Sequence, residues 1–148
     1  LGLESGDQGV LDRLNKGIEI GMAAQALENL KRAGIGVYLY LLFGTPEETE
    51  KEARRTLAFV SHHRGSIGFL NLAVFNMPVC SAGAASYSAE PFYEGDLSLY
   101  TGFRHPHGWD RNKVRGFLER EFKREPAVAE IVRRDPPLFT SNHAPFFC

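Results

Sequence analysis

The chain opens Leu1-Gly2-Leu3-Glu4-Ser5-Gly6, and two later stretches give that opening its meaning: Leu11-x-x-Leu14-Asn15-Lys16-Gly17 and Phe43-Gly44-Thr45-Pro46-Glu47-Glu48-Thr49. The first reads as the end of a buried strand that stops on a carboxylate and a hydroxyl, with a tight glycine turn behind it. Val10, Leu11 and Leu14 predict a helical turn or two between Asp7 and Lys16, which returns a lysine toward that strand end. The third stretch closes a second strand, Val37-Tyr-Leu-Tyr-Leu-Leu-Phe43. It is β-branched and aromatic at its start and apolar throughout, so it reads as buried on both faces, like the parallel strands of α/β folds.

Helix signals lie between these strands. Ala23, Ala26, Leu27 and Leu30 fall at helical spacing, and Gly34 sits where a left-handed C-terminal cap belongs. Thr45 can cap a second helix, with Pro46 at its first position and Glu48 completing a capping box. Ala53, Thr56, Leu57 and Val60 carry that helix onward, and residues 67–75 read as a third strand. The alternation β-α-β-α-β predicts an α/β fold with a parallel sheet and right-handed crossovers. After Asn76, residues 77–96 are rich in Pro, Gly, Ser and Ala and read as a long loop. Residues 97–103 are ambiguous. Asp110 can cap a helix to about Arg124, with Val114, Phe117, Leu118 and Phe122 on one face. Pro126 opens another that stops before Pro136-Pro137, and the phenylalanines of 138–148 predict a tail packed on the body. The organisation is thus a unit over 1–78, a loop over 79–96 and an extension over 97–148.

With 148 residues, 43% of them hydrophobic and 24% charged, the chain has the make-up of an ordinary globular domain able to bury a core. A net charge of -1 argues against a nucleic-acid or anionic-membrane partner. The longest apolar run, 37–43, is far short of a membrane span, and no secretory signal is expected. Cys80 and Cys148 form no CxxC pair and read as reduced thiols of a cytoplasmic protein. Leu rather than Met at position 1 suggests part of a longer protein.

Ligands of parallel α/β sheets bind at the carboxyl ends of the strands. Three such ends are legible: Glu4-Ser5, Phe43-Gly44-Thr45 and Asn76-Met77-Pro78. A carboxylate there can accept from ribose hydroxyls or an amine, and Lys16 can pair with a ligand carboxylate. Gly44 lets a flat ring approach the backbone, and a helix from Pro46 would turn its positive end to the same opening. In their order, Gly-Leu-Glu-Ser-Gly, Asn-Lys-Gly, Ala33-Gly34-Ile35 and Phe-Gly-Thr-Pro-Glu-Glu-Thr resemble one branch of the radical S-adenosylmethionine (radical SAM) superfamily. That branch holds methylthiotransferases, oxygen-independent coproporphyrinogen oxidases and cobalamin-dependent members. The resemblance covers about residues 1–80.

The resemblance implies the C-terminal part of a partial (β/α) TIM-like barrel with parallel strands, followed by a mostly helical extension. Glu4 and Ser5 would meet the ribose or methionine part of S-adenosylmethionine, and Lys16 its carboxylate. Phe43, Gly44 and Thr45 would pack on adenine, and Asn76 and Met77 would complete that site. The intact enzyme would be an oxidoreductase with a [4Fe-4S] cluster and an electron donor, forming a 5′-deoxyadenosyl radical that abstracts hydrogen from an unknown substrate. Cobalamin in a preceding domain belongs to some members. No catalytic residue and no metal ligand falls in this chain.

The sequence also departs from the pattern. The CxxxCxxC cluster motif and the motif that holds the methionine amino group are absent, so the chain alone is expected to be inert. Tyr40 stands where some relatives carry a polar ribose contact. Taken singly, Glu4 reads as well as a structural carboxylate, Lys16 as a solvated lysine, and Gly44-Thr45-Pro46 as a plain turn. Another parallel α/β barrel enzyme, or a non-catalytic half-barrel interaction module, are the alternatives. His105-Pro106-His107, His62-His63 and His143 lack acidic or thiol partners at ligand spacing and read as loop histidines. Nothing near Cys80 marks it as a reactive thiol. The charges over 104–134 alternate in sign and read as solvated helix surface. Exposed strand edges predict self-association, as a dimer.

Overall fold

The computed structural model describes residues 1–81, 84–87, 89–90 and 99–135. Strands β1 (Gly2–Glu4), β2 (Tyr38–Phe43) and β3 (Phe69–Val74) form a parallel sheet in the order β1-β2-β3. Helices α1 (Gln8–Arg13) and α2 (Ile20–Arg32) join β1 to β2, and α3 (Glu50–His62) joins β2 to β3. Sequential strand order with crossovers of one hand puts the connecting helices on one face. Leu27, Ala53 and Val60 accordingly share a core with Leu3, Leu39, Leu41 and Phe43. The fold is mixed α/β, and its three parallel strands close no barrel.

One-sided cover explains a departure from expectation in β2. Val37, Leu39, Leu41 and Phe43 are buried, but Tyr38, Tyr40 and Leu42 are only partly so. The aromatic rings of Tyr38 and Tyr40 pack edge to face, 4.9 Å apart, and make this second face look apolar in sequence.

Two helices end in the same way. In α1, Asn15 takes φ 52°, and the N–H groups of Asn15 and Lys16 bond the carbonyls of Asp12 and Leu11. In α2, Gly34 takes φ 69°, and Gly34 and Ile35 bond Lys31 and Leu30. Both are Schellman caps, with the left-handed residue the motif needs. The start of α3 differs from its prediction. Thr49 caps it and Glu52 completes the box, whereas Thr45-Pro46-Glu47-Glu48 is a turn closed by Glu48 N–H on the Thr45 carbonyl, 3.0 Å. The Thr-x-x-Glu pattern occurs twice in succession. Pro46 suits the second position of a turn as well as the first of a helix, so it does not choose between them.

The C-terminal part carries strands that the sequence does not predict, beside the helices that it does. Strands β4 (Met77–Pro78), β5 (Ala89–Glu90) and β6 (Tyr100–Phe103) form an antiparallel sheet in the order β4-β6-β5, within what reads as a loop and an ambiguous stretch. Helix α4 (Arg111–Arg120) is capped by Asp110 as expected, but gives way at Glu121 to a tighter turn over Phe122–Arg124 before α5 (Pro126–Val132). Trp109, Val114, Phe117, Phe122, Val128 and Ile131 join the core beneath the parallel sheet. The expected tail over 138–148 lies outside the described residues. Among the described residues no helix is long and apolar enough to cross a membrane.

The turn after β1 lies tight against α3. A Cβ on Gly6 would lie 2.8 Å from Thr56 Cα and 2.8 Å from Phe59 Cβ, while one on Gly21 would meet nothing within 4 Å. Gly6→Ala should therefore cost about 1–3 kcal/mol of stability. Gly21→Ala, on an exposed turn of α2, should add up to about 1 kcal/mol. Urea unfolding of the two variants checks the opposite signs.

Candidate functional site

At the end of β1 the backbone turns abruptly. The Ser5 N–H bonds the Leu3 carbonyl at 2.9 Å, closing a three-residue turn around Glu4, whose φ is 69°. A γ-turn of this hand is rare and strained for a residue with a side chain. The Schellman cap of α1 brings Lys16 to the same place, and its Nζ lies 3.1 Å from Glu4 Oε1. Both groups keep contact with solvent, with side-chain exposures of 36% for Lys16 and 23% for Glu4. The expected delivery of a lysine to the strand end is thus present.

The end of β2 is organised by Glu48. This carboxyl is fully buried, and its Oε2 accepts from the Gly44 N–H at 2.6 Å and the Trp109 indole N–H at 3.0 Å. Gly44 takes φ 77°, a conformation that favours glycine, and Val114 leaves only 3.0 Å for a Cβ. Among the described residues no cation pairs with Glu48, and burial pushes its pKa up to about 7 against the two hydrogen bonds that lower it. The neutral acid then carries its proton on Oε1, which has no partner among the described residues.

His105 lies in a loop, as predicted, but it is buried there. It is 7% exposed, and its Nδ1 accepts from the backbone N–H groups of His107 and Trp109, each at 3.2 Å. Its proton therefore sits on Nε2, which donates to the Thr45 carbonyl at 2.8 Å. Burial lowers its pKa and favours this neutral tautomer. Glu48 and His105 together stitch the Gly44–Glu48 turn to the C-terminal segment.

A cavity of about 90 Å³ opens beside these groups, between the ends of β2 and β3 and the antiparallel sheet. Gly44, Asn76 and Met77 line it from the parallel sheet and its end, and Phe103, Trp109 and Arg111 from the C-terminal segment. The predicted site residues thus fall into separate groups. Glu4 and Lys16 meet at the β1 end, while Gly44, Asn76 and Met77 share the cavity. Ser5 is turned inward, bonding Thr56 Oγ1 at 3.2 Å and receiving the Asp7 N–H at 3.2 Å. The Phe43 ring is fully buried against Phe117 and Phe122, on the helix side of the sheet. Thr45 is fully buried, with its hydroxyl unpartnered among the described residues.

Sequence reasoning missed Glu48, His105, Trp109 and Arg111. The aromatic and histidine content of residues 102–109 suits a pocket rim as well as a packed corner, and spacing alone does not pair residues 61 apart, as Glu48 and Trp109 are. Among the described residues no three His, Cys, Asp or Glu side chains cluster as metal ligands would, and Cys80 is exposed and unpaired. Compared with protein-family models, curated proteins and solved structures, the chain matches none.

The buried acid makes stability depend on pH. A carboxyl raised from 4.5 to about 7 on folding stabilises fully below the unfolded value, and the contribution falls as pH rises through about 7. The loss between pH 4.5 and 7 is on the order of 3 kcal/mol. His105 works in the opposite sense, because its lowered pKa stabilises above the ordinary histidine value and loses that effect on acidification. The difference between wild type and Glu48→Gln isolates the acid. Urea midpoints from pH 5 to 8 should fall more steeply in wild type than in the variant.

Proposed function

We propose that this chain is the C-terminal part of a radical SAM barrel and supplies one wall of its S-adenosylmethionine site. The observation that carries the reading is the strained, carboxylate-bearing residue at the carboxyl end of a parallel strand, held beside a lysine twelve positions on. Strain of this kind, on a residue whose side chain the core does not use, is common where a ligand is gripped. Lys16 would take the methionine carboxylate, and Glu4 would accept hydrogen bonds from the ribose or methionine end. Gly44, Asn76 and Met77, which line one cavity, would receive the adenine. Phe43 and Ser5 would act by shaping the backbone, since their side chains face the core.

S-adenosylmethionine, when bound and reduced at an iron–sulfur cluster, supplies a 5′-deoxyadenosyl radical that takes hydrogen from substrate. The residues of this chain do not fit the cluster itself, because it contains two cysteines in all, far apart in sequence. Its ligands would come from another part of the protein.

The test uses the product of the whole reading frame, purified without oxygen and loaded with iron and sulfide. With dithionite and S-adenosylmethionine it should form 5′-deoxyadenosine, and Lys16→Ala should lower the yield by about tenfold or more. A cluster-loaded protein that forms none would sink the reading.

The edge of β1 supports a second expectation, self-association. Leu1 (49% exposed) and Met22 (72% exposed) flank a mostly apolar groove with Gly2 and Ile18 along the outer edge of that strand, which pairs with β2 on its other side and with no further strand among the described residues. The chain by itself should run as a dimer in light scattering at tens of micromolar, and a monomer mass would count against this.

A further inference from the structure

Arg111, the first residue of α4, stands at the wall of the cavity at the strand ends. Its Nη1 donates to the Phe75 carbonyl at 3.4 Å and to Asn76 Oδ1, both neutral oxygens. No carboxylate pairs with it among the described residues, and its Nε and Nη2 donors have no partner there. Burial and then the neighbouring Arg115 both disfavour its charge. A guanidinium partly out of water is costly without an anion, and among the described residues no carboxylate lies within ion-pair distance of it. Asp110 also borders the cavity and is the one carboxylate among its described lining residues; its Oδ1 accepts the N–H groups of Asn112 and Lys113 at 2.9 and 3.0 Å as the cap of α4. The other walls, Val74, Phe75, Met77, Phe103 and Trp109, are mainly apolar.

We propose that Arg111 is the anion-recognising residue of this cavity, and that the cavity takes a small, flat or apolar molecule bearing a carboxylate or phosphate. The backbone carbonyl and the Asn76 amide hold one arm of the fork, leaving the other arm to meet two oxygens of one anionic group. The apolar walls receive the body of the molecule. The inference rests on Arg111 and the cavity and does not require S-adenosylmethionine, and its ligand competes with adenine for this one space of about 90 Å³. Failure to form 5′-deoxyadenosine and failure to bind an anion are therefore separate results.

Trp109 is the chain's single tryptophan and lines the same cavity, so its fluorescence reports occupancy. The purified chain is titrated with benzoate, phenyl phosphate and, as the neutral control, benzyl alcohol. A saturable change with either anion, and none with the alcohol at equal concentration, is expected. Tighter benzoate names a carboxylate ligand, and tighter phenyl phosphate a phosphate. Arg111→Gln should weaken the better anion on the order of tenfold to a hundredfold, with Arg115→Gln unchanged. Should Arg111→Gln fail to fold, Arg111→Lys decides, since it keeps the charge and loses the fork. Equal binding of alcohol and anions, no saturable change with either anion, or undiminished binding by the variant that folds would overturn the proposal.

Discussion

The Glu48 carboxyl is out of water and needs hydrogen bonds that only a particular packing supplies. One donor is the backbone of Gly44, four residues earlier, and the other is the indole of Trp109 on the far side of the chain. The first fixes the path by which β2 leaves the sheet; the second fixes where the C-terminal segment docks. His105 adds a third tie, to the Thr45 carbonyl. Because the turn from Gly44 to Glu48 is held from both sides, the cavity beside it has walls of defined position, as recognition by a few polar groups requires. A buried acid is a poor source of net stability, but it penalises every packing that takes the Gly44 and Trp109 donors away from its Oε2.

The end of β1 has a different character. Glu4 is held in an unfavourable backbone conformation by neighbours committed to the core: Leu3 beneath the sheet, Ser5 bonded to Thr56, and Gly6 pressed on α3. These contacts fix the backbone on both sides of Glu4 while its carboxylate stays at the surface beside Lys16. Rigid support beneath a charged pair is what positioning a polar ligand demands.

Most of the first half was legible in sequence because its signals are local. Helical spacing in α2, Gly34 at its cap and the apolar run of β2 each depend on residues a few positions apart. The start of α3 was misread because two identical capping patterns stand in series, and only the tertiary use of Glu48 separates them. The one-sided burial of β2 escaped because Tyr38 and Tyr40 pack edge to face on each other and read as core residues. The antiparallel sheet was invisible because β4 and β5 are two residues each and owe their pairing to β6. At the site, the lysine beside Glu4 was legible through its helix cap. His105 and Arg111 were not, since their partners Thr45 and Asn76 lie 60 and 35 positions away.

The pairing of β4 with β6 has a consequence for how such a protein can diversify. Pro78 stands opposite Tyr100, so the chain that leaves the parallel sheet comes back to within one hydrogen-bonded pair of where it left. A connection whose two ends are already clamped changes length cheaply, at about 0.6 kcal/mol for each doubling. Insertions between those clamped ends would leave the core beneath the sheet undisturbed while changing what is joined to Met77 and Thr101, two residues that line the cavity. Selection could then retune ligand choice there without first spending stability elsewhere.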